Sequence, residues 1–173
     1  KNSCPSVYNL HTHTNRSDGS LSPIELIKQA QQLKISHLAV TDHHTIDAYP
    51  LMKQWLNSNE NVNIEPLSLW SGIEITSLLK GCLVHILGLD FDTKSNSMFK
   101  YYRKQSVTGY SLEAKEVVNS IHKANGLAVL AHPGRYRLSY KELLEEAYNL
   151  DFDGIEVWYD YDRCLYWKPS EFI

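Results

Sequence analysis

The chain has 173 residues, 43% of them apolar and 21% charged, which suits one water-soluble domain with a sizeable core. Seventeen basic residues stand against twenty acidic ones, for a net charge of -3; that excludes a protein coating nucleic acid through bulk charge and predicts no stable binding to duplexes, but leaves room for a local basic pocket. No apolar run is long enough to span a membrane and no signal peptide is visible, while Cys4, Cys82 and Cys164 are odd in number, widely spaced and without a CxxC, so free thiols in a reducing, cytoplasmic setting are expected. The sequence begins at Lys1 rather than Met, and the expectation is that something is missing from that end.

A short β-like run, Val7 to Leu10, leads into His11-Thr12-His13-Thr14-Asn15-Arg16-Ser17-Asp18. Ser22-Pro23-Ile24-Glu25 has the form of a capping box with proline at the first helical position, followed by Ile24, Ile27, Ala30 and Leu33 at helical spacing. His37 to Val40 reads as a strand running into Thr41-Asp42-His43-His44-Thr45. Asp47 to Asn57 reads as a helix with Leu51, Met52 and Trp55 on one side. Leu67 to Ile75 is a strand carrying Gly72-Ile73-Glu74; Gly81 makes a turn, and Cys82 to Leu89 is a strand with His85 inside it. Ser97 to Asn125 reads as helical, interrupted near Gly109 and closed by Asn125-Gly126. Leu127 to Ala131 is a buried strand ending in His132-Pro133. Ser139 followed by Glu142 repeats the capping pattern for a helix to Tyr148, and Asp153-Gly154 leads into a last strand, Ile155 to Trp158; from Tyr159 to Ile173 no pattern holds. Strands alternate with helices, apart from one strand pair, so the expected fold is α/β with a largely parallel sheet in a single domain over 1–173.

His11, His13, Asp42, His43, Glu74, His132 and Glu156 all fall at or near the C-terminal ends of the predicted strands, the edge where parallel α/β folds gather functional groups. Two histidines at i, i+2 on a strand point the same way. Glu74 sits between Ile73 and Ile75, where a carboxylate is costly unless paired. Imidazole and carboxylate without thiolate favour a catalytic Mn²⁺, Zn²⁺ or Fe²⁺ site over a closed structural zinc. Asp42 could cap a helix or orient a ligating histidine, and Glu156 is a candidate to line or brace the site. His37 lies at the wrong strand end, His122 reads as a surface helix residue, and His44 either touches substrate or faces solvent. Arg135, just after His132-Pro133-Gly134, would overhang the same edge with a fork suited to phosphate. Between Asp92 and Glu113 no acid occurs, and Lys94 to Tyr110 interleaves Lys100, Arg103 and Lys104 with Tyr101, Tyr102 and Tyr110. That mixture suits a phosphate-bearing, base-stacking ligand or, equally, a solvated helical face.

The ordered set His11-Thr12-His13, Ser17-Asp18-Gly19, Thr41-Asp42-His43, Gly72-Ile73-Glu74, His85 and Ala131-His132-Pro133, spread from Asn9 to about Val157, resembles the polymerase-and-histidinol-phosphatase (PHP) family of metal-dependent phosphoesterases. The run Ala131 to Tyr136 looks most like the branch of nucleoside 3′,5′-bisphosphate phosphatases and 5′→3′ exoribonucleases of short RNA. The resemblance implies a distorted seven-stranded β/α barrel with two or three divalent metals, Mn²⁺ foremost. His11, His13 and Glu74 would hold one; Glu74 would bridge to a second held by His85 and His132; Asp18 and His43 would contribute to a third. Arg135 would bind a substrate phosphate, with Lys100 and Arg103 as further substrate-binding candidates and a helical lid over about 94–124. Two departures stand out. His44 replaces the Asp or Asn that many relatives carry. No Asp-x-His follows Val157, although Asp160 and Asp162 are present, so the expectation is a truncated barrel or a degenerate site.

The expected reaction is phosphate ester hydrolysis of a nucleotide or short RNA end, with Glu74, His43 and His44 as the catalytic candidates; His44 and a water on a metal are the candidates for the general acid. Hydrolysis of another small ester such as histidinol phosphate, or a non-catalytic module, are the rival expectations.

Overall fold

A computed structural model describes residues 7–58 and 67–159. Six strands lie in one sheet in sequential order: β1 (Tyr8–Asn9), β2 (His37–Val40), β3 (Ser68–Leu79), β4 (Cys82–Leu89), β5 (Leu127–Leu130) and β6 (Gly154–Ile155). β1, β2 and β3 pair in parallel, β4 is antiparallel to both β3 and β5, and β6 is parallel to β5. The sheet curls into a half barrel, so the expected α/β class holds. A seventh strand is absent among the described residues.

Helices α1 (Pro23–Gln32), α2 (Ala48–Leu56), α3 (Ala114–Lys123) and α4 (Tyr140–Asn149) cover the outside of the curl. α1 and α4 each begin with the capping box expected from sequence, at Ser22–Glu25 and Ser139–Glu142. Ile27 and Ala30 of α1 pack with Ala48 and Met52 of α2 against Leu38 and Val40. The predicted apolar side of α2 needs correction: Met52 is fully buried, but Leu51 is exposed, because adjacent helical residues point about 100° apart. Leu33 is exposed too, since the helix ends before it.

The largest departure lies between 97 and 125. Instead of a long interrupted helix, there are two 3-10 turns, Phe99–Tyr101 and Gly109–Leu112, then α3 alone. Lys104 and Gly109 both take positive φ, which the interior of an α-helix does not accommodate. Met98 and Tyr101 are fully buried with Val117, Val118 and Ile121 against β3 and β4. The β3–β4 hairpin closes through Lys80 (φ 51°) and Gly81 (φ 75°), the pair of left-handed residues that a two-residue hairpin turn requires.

Alternation along the strands decides what faces inward. Ile73, Ile75, Val84 and Ile86 point outward to α3, whereas Ala39, Leu87, Leu89 and Ala131, with Leu10, Trp70 and Val129, form a separate inner cluster. Glu74 and His85 have the inner parity, so they stand on the concave face next to that apolar floor.

Candidate metal centre

One of the strand-end placements needs correction. β3 runs on past Glu74 to Leu79 and turns back as β4, so Glu74 lies in mid-strand, while His85 lies inside an antiparallel strand as expected. They reach the same rim because β2 stops at Val40 while its partner continues. A lone parallel bridge, His43 to Glu74, then joins the chain beyond β2 to β3.

The side chains converge. Glu74, 1% exposed, divides four imidazoles between its two oxygens. Oε2 lies 3.0 Å from His11 Nε2 and 2.9 Å from His13 Nε2. Oε1 lies 3.0 Å from His132 Nε2 and 2.8 Å from His85 Nδ1. His43 Nε2 stands 3.6 Å from Glu74 Oε2 and 3.6 Å from Asp18 Oδ2, and His13 Nδ1 is 3.1 Å from Asp18 Oδ1. Three overlapping triads could each hold a cation: His11–Glu74–His132, His13–Asp18–His43 and His43–Glu74–His85. Donor atoms sharing one ion at about 2.0–2.2 Å sit about 2.8–3.6 Å apart, and these separations fall in that range.

The donor chemistry fits a cation. His11 Nε2 and His13 Nε2 face each other at 3.1 Å while sharing one carboxylate oxygen. Buried His85 Nδ1, though 2.8 Å from Glu74 Oε1, has no hydrogen bond of acceptable direction. Two ring nitrogens that face each other across one carboxylate oxygen, with a third left unsatisfied beside the other oxygen, form a donor set that a cation would satisfy.

The supporting shell is equally specific. Glu156 Oε1 lies 2.9 Å from His11 Nδ1, and its Oε2 accepts from the His132 backbone N–H at 2.7 Å. A carboxylate only accepts, so it keeps a proton on His11 Nδ1 and turns Nε2 to the centre. Buried Asp42 accepts from Thr14 N (2.6 Å), Thr14 Oγ1 (2.7 Å) and Ser17 Oγ (2.8 Å); it ties down the loop that carries His13 and Asp18 and caps no helix. Gly19 lets that loop close, because a Cβ there would collide with the His13 carbonyl. Tyr136 OH accepts from the His85 backbone N–H at 2.8 Å. His132 itself holds φ 26°, ψ 64°, a strained conformation of the kind that persists where surrounding contacts enforce it.

The electrostatics follow. Burial pushes the Glu74 carboxyl up, but the four imidazoles packed around it, His11, His13, His132 and His85, outweigh it and hold it far below the usual range. Burial likewise opposes charge on His11, and hydrogen bonds to Glu156 and Glu74 reverse the sign, raising it to about 10 in the metal-free protein. Burial lowers His43, and burial with neighbouring His43 and His85 takes His44 down to about 4. His44 (φ 52°) accepts from the Thr76 backbone N–H through Nε2 at 3.2 Å, and its Nδ1 is buried without a hydrogen-bond partner.

Arg135, exposed, ends the 3-10 turn that follows His132 and donates from Nη1 to Tyr159 OH at 2.9 Å. Tyr159, for which no periodicity gave a signal, packs its ring 4.9 Å from His132 and 5.8 Å from His11. Lys104 touches the site's edge, donating its backbone N–H to His44 O. The structure does not bring Lys100 to the cluster: its ammonium pairs with Glu116 and lies 5.1 Å from the Tyr101 ring centroid. Arg103 is exposed. His37, at the start of β2, stacks on Tyr8, and His122 pairs with Asp153. Cys82 is a free thiol; Cys4, Cys164, Asp160 and Asp162 lie outside the described residues.

The PHP domain model matches residues 9–157. An Escherichia coli K12 protein, "5′-3′ exoribonuclease Rnm", is 27% identical over 206 residues, covering 79% of this chain and 69% of that one. A "5′-3′ exoribonuclease" of Haemophilus influenzae is 33% identical over 141 residues, covering 75% of this chain and 49% of its own. In fold, the chain is similar to an amidohydrolase from Chromobacterium violaceum (TM-score 0.71, 19% identity, 87% of this chain and 76% of that one). It is similar also to a Bifidobacterium adolescentis protein assigned as a metal-dependent phosphoesterase (TM-score 0.70, 19% identity, 88% and 77%). Family motif, converging imidazoles and fold agree: this chain belongs to the PHP domain family, the metal-dependent phosphoesterases.

Proposed function

We propose that the protein hydrolyses phosphate esters of nucleoside 3′,5′-bisphosphates or of the 5′ end of short RNA, using two or three divalent cations, Mn²⁺ foremost. The observation that carries this reading is the split of Glu74: His11 and His13 on one oxygen, His85 and His132 on the other. A bridging carboxylate with two imidazoles per oxygen would hold two ions side by side, and Asp18 with His43 would complete a third position. Bound cations would supply Lewis acidity toward a phosphoryl oxygen and toward water near neutral pH. The exonuclease names of the similar chains support the nucleotide class of substrate.

The chain's own residues do the rest. Glu156 fixes the His11 tautomer and Asp42 fixes the His13–Asp18 loop. Arg135 receives a substrate phosphate through paired, charge-assisted bonds. His43 lies at the more open side, between Asp18 and Glu74. His44 is kept neutral, and its bonds to Thr76 and Ser106 brace the 103–107 stretch against the rim, with Arg103 available to a longer substrate and the segment from 94 bordering the entrance as a lid. A reduced Cys82 thiol suits a cytoplasmic setting.

The test is phosphate release from adenosine 3′,5′-bisphosphate and from a 5′-phosphorylated short RNA with added Mn²⁺. A protein shown by metal analysis to be loaded, yet releasing no phosphate or mononucleotide from either, would refute the substrate assignment.

A further inference from the structure

Two side chains of the segment leaving β6 enter the site within four residues. Glu156 braces His11 and His132; Tyr159 packs its ring against the same two imidazoles. The Tyr159 oxygen accepts from Arg135 Nη1 at 2.9 Å, and the guanidinium carbon is 5.9 Å from the ring centroid. An exposed arginine samples many rotamers, and one directional bond selects among them. The phenol takes one of the five N–H donors and leaves the rest of the fork unspent by that bond. Phenylalanine would preserve the ring contacts with His11 and His132 but would offer no acceptor.

Resting on the phosphoesterase reading above, we propose that Tyr159 is a positioning residue: it anchors Arg135 at the His11–His132 end of the centre so that the guanidinium meets a terminal phosphate of the substrate. Its action on substrate runs through Arg135, and it is separate from holding the metals, which falls to the imidazoles and Glu74.

The experiment is a double-mutant cycle of Y159F and R135A, read by steady-state kinetics on adenosine 3′,5′-bisphosphate and by calorimetric titration with inorganic phosphate and with Mn²⁺. Y159F is expected to raise KM and weaken phosphate binding by about 5- to 10-fold, with kcat and Mn²⁺ affinity within twofold of wild type, the signature of lost uniform binding. R135A is expected to do more, and adding Y159F to R135A to change nothing further, because the anchor has lost its load. Y159F kinetics equal to wild type, an undiminished Y159F effect in the R135A background, or a fall in Mn²⁺ affinity in Y159F would each overturn the proposal while the phosphoesterase reading stands. A metal-loaded wild-type protein that neither hydrolyses the bisphosphate nor binds phosphate takes both down.

Discussion

Glu156→Gln removes one charge and almost no volume, and the structure allows its consequence to be worked out atom by atom. Glu156 accepts twice, from His11 Nδ1 at 2.9 Å and from the His132 backbone N–H at 2.7 Å. A glutamine has one acceptor oxygen and one donor nitrogen. If its oxygen keeps the backbone N–H, its NH₂ faces His11 Nδ1, which must then give up its proton to Nε2, the nitrogen turned toward Glu74 and His13. If the amide flips to serve His11, two N–H groups oppose each other at His132. Either arrangement spoils a ligand, and loss of such an outer partner costs about 10- to 100-fold in metal affinity, about 1.4–2.7 kcal/mol. Calorimetric titration of the metal-free protein with Mn²⁺ measures this directly, and activity should return toward wild type at excess Mn²⁺. A Glu156→Gln protein that binds Mn²⁺ within twofold of wild type would show that the carboxylate does not set the His11 tautomer.

Other outcomes follow from the same geometry. Because His11 is raised to about 10 in the metal-free protein, Mn²⁺ binding at pH 7 should release about one proton from it, seen as a buffer-dependent calorimetric enthalpy; equal enthalpies in buffers of different ionisation heat would refute this. The metal-free protein should also lose thermal stability toward alkali: His11, raised above its reference value of 6.5, contributes fully below pH 6.5 and loses that contribution as pH rises through about 10. On the acid side, Glu74 is lowered from 4.5, so its contribution is present above pH 4.5 and lost below it, and His44, lowered from 6.5 to about 4, loses its contribution between those values as pH falls. Melting of chelator-treated protein across pH 4–10 should therefore peak between the two flanks, and a midpoint that climbs steadily to pH 10 would contradict the assignment. Asp42→Asn turns an NH₂ toward one of three donors on Thr14 and Ser17 and should cost about 2 kcal/mol in denaturant unfolding, along with weakened metal binding at His13 and Asp18. Ser139→Ala, at the cap of α4 and outside the site, should lower the melting midpoint by about 2–4 °C with unchanged kinetics.

Local signals along the chain sufficed wherever short-range physics decides. Ser22–Glu25 and Ser139–Glu142 start helices because a cap is complete within four residues. An isolated carboxylate at Glu74 between two isoleucines already demanded a partner, and the His-x-His pair does meet one Glu74 oxygen, although β1 stops at Asn9 and the two histidines lie in the chain just past it. Tertiary structure alone decided the rest. The split of four imidazoles across one carboxylate depends on β1, β3, β4 and β5 meeting at one rim, which brings residues as far apart as 11 and 132 to the same Glu74. Ser97 to Asn125 carries helix-forming residues, but only α3 forms a regular helix there; ahead of it Met98 and Tyr101 are buried against β3 and β4 and the chain makes 3-10 turns. Lys100 is basic and surrounded by tyrosines, yet Glu116 on α3, in the same β4–β5 connection, claims it. Tyr159 sits in a stretch with no pattern at all, and only the curl of the sheet brings it against His132 and Arg135. Sequence names the groups capable of the chemistry; the closing of the sheet selects which of them meet, because hydrogen bonding and metal ligation need donor atoms within about 3–4 Å and no local rule fixes distance across a fold.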